Sequence, residues 1–423
     1  MNQPLESFTG QPAAPDFFFE PPALAGIVPL MSAMFGGDDL AAVAQNLIRR
    51  AEDNPLDADA LLDLSAVLIL RGDPATGLKI QGQALQLRRF YPLTQASRQP
   101  ELRLLVLKMP GDFMANTPVE FLLDNPRISV DVLYVAPDLP PPMVAPEHDL
   151  VFVAISEGHR NERILNWVGA LTAQWGLPVI NRAALIPALT RDVFWRQLPD
   201  HRGMVAPRCD CLSAQYIRLH ADEFRYPLIV RPEGSHAGHN LALVQSEAEL
   251  QHYLTDEREA LFYLSPYIDY RSSDGQFRKY RIVFIEGQAF ICHMAISSHW
   301  MVHYLNAGMT TPEAQWKRDE EARMMAHFEN TFVATHQPAF DALYKCLGLD
   351  YFGIDCAELP TGELLIFEVA NAMVVHDMDP AETFPYKPPQ MQRIFAAFQN
   401  MLFGRQKLSI TTVSPMPMLP ERV

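Results

Sequence analysis

Positive charge is scarce in this chain: 34 Lys and Arg face 50 Asp and Glu, a formal net charge of −16. No basic run compensates, so the electrostatic footprint of a nucleic-acid binder is missing and no nucleic-acid partner is expected. Cysteine is sparse as well. Five cysteines, an odd number scattered over 423 residues, make no disulfide framework and suit a reducing cytoplasm. Cys209-Asp-Cys211 lacks a second thiol pair to complete a metal site. Missing too is any apolar stretch long enough to cross a membrane. The run 24–34 is short, contains Pro29 and follows no Lys or Arg, so neither a span nor a signal peptide is expected. What remains is globular in composition, 48% hydrophobic and 20% charged, with length for two or three domains.

Residues 351–376, YFGIDCAELPTGELLIFEVANAMVVH, are the most informative present. They predict two apolar strands, 351–358 and 364–369, around a Pro-Thr-Gly turn. A turn centred on Thr361 and Gly362 puts Asp355 opposite Glu368. Facing carboxylates repel, and a hard divalent cation such as Mg²⁺, which also brings phosphates, is the usual remedy. On that reading, neutralising either carboxylate leaves the apo protein no less stable. A solvated sheet edge, or a loop that Pro360 lengthens, removes the need for a metal.

Upstream, YPLIVRPEGSHAG is a β-rich run ending in Arg231, then a loop of small residues around Gly234, Ser235, Ala237 and Gly238. Such loops bring backbone N–H groups close to an anion. The loop is neither a Walker A motif nor a dinucleotide fingerprint, and alone it reads more often as an ordinary turn. Combined with an acidic hairpin downstream, it makes a nucleotide-site pattern.

From about residue 179 to 402 the chain resembles the ATP-grasp carboxylate–amine ligases, the superfamily of glutathione synthetase, the ribosomal-protein glutamate ligases and D-alanine–D-alanine ligase. NRAALIPALTRDVFWRQL resembles their entry helix, whose basic residue, here Arg191, reaches the nucleotide phosphates. VRPEGSHAGHN resembles the phosphate strand and loop, implying contacts from Arg231, Gly234, Ser235, His236, Ala237 and Gly238. LFYLSPYIDY is similar to the hinge that reads adenine, through Ser265, Pro266, Tyr267 and Ile268. In KYRIVFIEGQAFICHMAIS, Arg281 matches the arginine directed at the transferred phosphate or the substrate carboxylate. GIDCAELPTGELLIFEVAN matches the metal hairpin, with Asp355 and Glu368 as magnesium ligands.

Two departures stand out. Arg231 replaces the family's usual lysine, a planar fork for a point donor. Ala370 stands where the family has Asn or Asp, and Asn371 follows one residue later. A regular strand turns Asn371 to the opposite face; a bulge would return it as a third ligand.

The resemblance implies an α/β (α+β) fold, ATP-grasp with a small preceding α/β domain and an N-terminal helical hairpin. The expected division is a Pro-rich tail at 1–37, a tetratricopeptide-like helical segment at 38–98, the α/β domain at 99–180, the ATP-grasp domain at 181–403 and a tail at 404–423. In the helical segment, Leu61, Leu64, Leu68, Gly72, Gly77 and Ala84 follow the tetratricopeptide pattern for little more than one repeat. Such a hairpin serves packing, peptide docking or a homodimer. In the α/β domain, loop 109–118 follows the first strand, where open parallel sheets bind ligands, and offers Asp112, Asn116 and Thr117 as substrate contacts or as turn residues. Residues 293–309 carry His299 and His303 at helical metal spacing without a third ligand. The family places a loop here that faces the acceptor, which makes Trp300, Tyr304 and Asn306 candidate contacts and His303 a candidate proton acceptor; Trp300 and Tyr304 also read as core aromatics.

The implied activity is ATP- and Mg²⁺-dependent joining of a small-molecule or peptide carboxylate to an amine through an acylphosphate. A phosphotransferase on the same fold, or a weakly active ATP-binding scaffold protein, are the rival readings.

Overall fold

The computed structural model describes residues 24–93, 100–137, 139, 146–198, 203–235, 238–257 and 259–412. His236 and Ala237 of the phosphate loop, and the first 23 residues, lie outside them.

Four helices open the described chain: α1 (Ile27–Phe35), α2 (Ala41–Asp53), α3 (Ala58–Leu70) and α4 (Pro74–Leu87). Asp57 and Asp73 cap the last two by accepting from the N–H groups of Ala60 and Thr76. Gly77 lets α3 and α4 close: a Cβ there would stand 2.6 Å from Ile69 Cγ1. The expected tail over 1–37 is therefore corrected from residue 27 onward. Pro29 lies in the first turn of α1, where its missing N–H is no loss. The Asp63 carboxylate anchors the approach by accepting from Ala25 N–H at 2.6 Å and Gly26 N–H at 2.9 Å.

The first sheet contains β1 (Phe90–Pro92), β2 (Leu102–Lys108), β3 (Ile128–Tyr134), β4 (Leu150–Val153) and β5 (Val179–Ile180), in the order β1-β3-β2-β4-β5. Strands β2 to β5 are parallel, β1 is antiparallel, and α5 (Glu162–Trp175) connects β4 to β5. LVFV is buried throughout, as covered parallel sheets require.

The stretch expected as one entry helix is broken. A 3₁₀ segment, Ala183–Leu189, carries Pro187; Thr190 is extended, and α6 (Arg191–Gln197) begins anew at Arg191. Then comes β6 (Met204–Val205).

A smaller lobe follows: β7 (Asp210–Ser213), α7 (Ala214–Leu219), β8 (Leu228–Pro232), β9 (Ala242–Val244), α8 (Glu247–Asp256) and β10 (Leu261–Pro266). Its antiparallel sheet runs β7-β10-β8-β9. Ile217, Val230, Leu250, Leu254 and Phe262 give it a core of its own.

The third sheet, ordered β12-β11-β13-β14-β6, is built from β11 (Phe277–Ile285), β12 (Gln288–Ser297), β13 (Tyr351–Glu358) and β14 (Leu364–Ala370), with β6 as its parallel edge. Helices α9 (Gln315–His327) and α10 (Ala334–Leu347) precede β13, and α11 (Lys387–Thr412) follows β14. One core joins this sheet to the first, through Val153, Leu165, Phe284, Phe340 and Ile354. Phe398 and Leu402 of α11 clamp Phe152 of one sheet to Tyr351 of the other, each side chain worth roughly 1.5–3 kcal/mol of burial. Since α11 runs to Thr412, the tail expected from 404 is also corrected.

Among the described residues, no helix is long and apolar enough to cross a membrane.

Candidate active site

Three elements of the third sheet bring charge to one place. Lys279 and Arg281 alternate with buried Tyr280 on β11 and so share a face. Across the ladder β13 places Asp355 opposite Arg281, and β14 places Glu368 opposite Asp355. Asp355 accepts from Lys279 Nζ at 2.8 Å and from Arg281 Nε and Nη2 at 2.8 and 3.0 Å. Burial would raise the Asp355 carboxyl, but the charges and hydrogen bonds of Arg281 and Lys279 override it and hold it well below the usual carboxylate range. Glu368 accepts from Arg191, the first residue of α6.

The smaller lobe supplies the facing wall. Arg231, at the end of β8, is 9% exposed and donates to the hydroxyl and carbonyl oxygens of Ser235, which folds the loop back on its own strand. Burial first, and then the charge of Arg191, push its pKa well below the ordinary guanidinium value. Gly234 and Gly238 both have φ of +76°, a conformation that favours glycine. At the end of β10 and just past it, Ser265, Pro266, Tyr267 and Ile268 line the same cleft, and Tyr267 N–H donates to Pro227 O at 3.1 Å.

The cleft between the walls has a volume of about 430 Å³, enough for a nucleotide-sized ligand. Arg191, Arg231, Lys279 and Arg281 line it against the three carboxylates Asp355, Glu368 and Asp379, a local cationic excess in a chain of net charge −16. Such focusing favours an anion.

Residues 298–306 hold the segment expected to face the acceptor. Trp300, His303 and Tyr304 line the cleft. Burial, then the charges of Lys279 and Arg281, lower the His303 pKa and keep its imidazole neutral. Asn306 does not line the cleft; its side-chain oxygen accepts from His303 N–H at 2.9 Å and closes the turn. The segment around His299 is not helical, so the helical metal-pair spacing with His303 lapses. Among the described residues, no group of three or more His, Cys, Asp or Glu is gathered to hold a metal.

Three other expected contacts lie elsewhere. Asp112 accepts from Met114 N–H, and the Asn116 amide pairs twice with the Met109 backbone at 2.8 Å. Both border a separate cavity of about 100 Å³ beside the helical segment. Thr117 is fully buried and donates to Asn371 O at 2.8 Å. Asn371 is itself fully buried, with its amide donating to Ile155 O at 2.8 Å and its backbone N–H bonded to the Glu157 carboxylate. Thr117 and Asn371 join the end of β14 to the loops of the first sheet, so their polarity serves that junction.

Several residues of the site escaped sequence reading. Lys279 was visible in principle, two residues before Arg281 in a strand. His293 faces Arg281 on β12 and lines the cleft; burial, then Arg281 and Lys387, push its pKa well below that of a free imidazole. Behind Tyr304 lies a buried network: Lys387 bonds Tyr304 and Asp379, while Glu321 accepts from Tyr386 at 2.7 Å and Met294 N–H at 2.9 Å. Its members are too dispersed along the chain to carry a sequence signal.

No family model matches the chain, and no curated protein does. Solved structures align with it at low identity. The VanG D-Ala:D-Ser ligase from Enterococcus faecalis is 14% identical over 73% of this chain and 100% of its own, with a TM-score of 0.45. A RimK domain ATP-grasp protein from Sphaerobacter thermophilus is 16% identical over 71% and 100%, TM-score 0.43. The D-alanine–D-alanine ligase from Bacillus anthracis complexed with ATP is 14% identical over 74% and 100%, TM-score 0.42. Likeness at this level decides nothing about the site. The chain is an α/β protein similar to these ligase structures, and its function has to be read from its own cleft.

Proposed function

We propose that this chain is an ATP-dependent ligase that joins a carboxylate to an amine. The observation that carries the reading is the facing pair Asp355 and Glu368 in a cleft that also presents Arg191, Arg231, Lys279 and Arg281. Two carboxylates supply the hard oxygen donors that Mg²⁺ prefers, so Asp355 and Glu368 fit as its holders. Asn371 is sealed in the inter-sheet junction and does not line the cleft, which speaks against it as a third ligand. Bound Mg²⁺ would neutralise phosphate charge beside the two carboxylates.

The remaining roles fall to the chain. Ser265, Pro266, Tyr267 and Ile268 offer the adenine a backbone edge and an apolar floor. Arg191, Arg231 and the loop of Gly234, Ser235 and Gly238 meet the phosphates. Arg281 and Lys279 hold the substrate carboxylate as its oxygen attacks the γ-phosphorus and ADP leaves. The amine then attacks the acyl carbon of the acylphosphate, inorganic phosphate departs, and neutral His303 accepts the proton that the amine sheds. Alignment and charge neutralisation supply most of the rate. The cytoplasm remains the compartment we propose, and small-molecule or peptide substrates the partners.

Hydroxylamine in place of the natural amine tests this across a panel of carboxylates. A ligase yields hydroxamate and ADP together, dependent on the carboxylate. A phosphotransferase yields ADP with a phosphoester and no hydroxamate. ATP binding without ADP release supports the scaffold reading, which the cation pairing of both carboxylates favours.

A further inference from the structure

The cleft has a wall with no role in nucleotide binding. It is formed by α1, whose sequence IVPLMSAMF contains a single polar residue and buries only Leu30. Met31 and Phe35, four residues apart and so on one helical face, line the cleft. They share this end with Met114, Val374, Val375 and Met391. No charge or strong hydrogen-bonding group is among these six side chains. The Phe35 ring lies 5.4 Å from the ring of His376, and His376 lines the same cleft as Arg281. The approach to α1 is held by the Asp63 carboxylate through the N–H groups of Ala25 and Gly26, which sets where Met31 and Phe35 stand.

We propose that α1 is a substrate-selecting wall, and that the carboxylate substrate carries an apolar side chain seated against Met31 and Phe35. The inference rests on the ligase reading and names its substrate class. Lys279 and Arg281 attract the carboxylate, while the wall receives the substituent. The charged group nearest this end, Asp379 beside His376, is already paired with Lys387 at 2.7 Å, so a charged side chain there would lose its hydration without gaining a free partner. Three methionines make the wall adaptable, so it sorts by polarity more than by shape.

The test uses the full chain with ATP, Mg²⁺ and hydroxylamine. Leucine, methionine and phenylalanine, as either enantiomer, are compared with aspartate and lysine. The apolar three should be preferred at least about tenfold in kcat/KM. Phe35→Asp and Met31→Glu should each erase that preference with the KM for ATP unchanged, and Met31→Leu should keep it. Preference for aspartate or lysine, or a preference that survives both charged variants, overturns the inference. Calorimetry with leucine and an unhydrolysable ATP analogue separates the two readings. Leucine binding to the parent but not to Phe35→Asp, without hydroxamate from any amino acid, discards the ligase and keeps the apolar subsite. Absence of leucine, methionine and phenylalanine from both assays discards the subsite.

Discussion

Asp355 stands opposite Glu368 across the β13–β14 ladder, and a bulge brings them there. Near the turn, Glu358 pairs with Leu364 and Cys356 with Ile366; then Phe367 is skipped, and Asp355 pairs with Glu368. The turn is thus one residue tighter than centring on Thr361 and Gly362 requires, and the extra residue restores the register. The expected pairing is correct, though it arises by a different route. A β-bulge re-aims the side chains beyond it, and here it decides which residue of β14 meets Asp355.

The repulsion inferred from that pairing is already answered within the chain. Lys279 and Arg281 neutralise Asp355, and Arg191 neutralises Glu368. The expectation that losing a carboxylate leaves the apo protein no less stable is therefore replaced. Asp355→Asn strands two largely buried cations, and removing one partner of such a pair costs about 3–5 kcal/mol. Urea unfolding of the apo protein should show that loss. A depressed carboxyl pKa adds stability above its unfolded value and forfeits it as pH falls from the ordinary Asp range toward the folded value. The parent should lose stability faster than Asp355→Asn as pH is lowered below about 4. Equal acid profiles would remove Asp355 from this account.

Arg231 serves the loop as well as any ligand. Its bonds to Ser235 shape the turn that Gly234 begins. Arg231→Ala should weaken ATP binding by about 1.5–3 kcal/mol, the scale of a charged hydrogen bond. Adenosine, lacking phosphates, should bind both forms alike. Calorimetry with the two ligands checks this, and a matching loss for adenosine would place the damage in the lobe as a whole.

Legibility followed sequence range. The strands β2, β3, β4, β13 and β14 are visible as short apolar runs, because burial of both faces leaves a local record in composition. The cleft residues read by order along the chain, Arg191, Arg231, Tyr267, Arg281, Asp355 and Glu368, come together in one cavity. What stayed hidden depends on long-range contact. Helix α1 looked like a loose tail, since nothing local tells that Asp63, on α3, anchors its approach. Asp112, Asn116 and Thr117 read as ligand contacts or as turn residues; Asp112 and Asn116 bond the backbone of their own loop, while Thr117 serves a packed junction with β14 that has no local signal.

Asn371 separates two accounts of the strand end. A bulge after Glu368 would have carried it to the metal position beside that residue. The bulge lies before Glu368 instead, at Phe367, and regular pairing resumes through Ala370 opposite Gly353. Asn371 then continues into the junction, where its amide donates to Ile155 O and its carbonyl accepts from Thr117. Asn371→Ala should accordingly cost stability, about 1–3 kcal/mol for the stranded Ile155 carbonyl, while leaving the Mg²⁺ concentration for half-maximal ADP release unchanged. Ala370 is two residues from Glu368 and so shares its face. Ala370→Asn should lower that half-maximal concentration, because it adds a carbonyl oxygen beside the carboxylate. A raised Mg²⁺ requirement in Asn371→Ala at unchanged stability would return Asn371 to the metal and overturn its structural assignment.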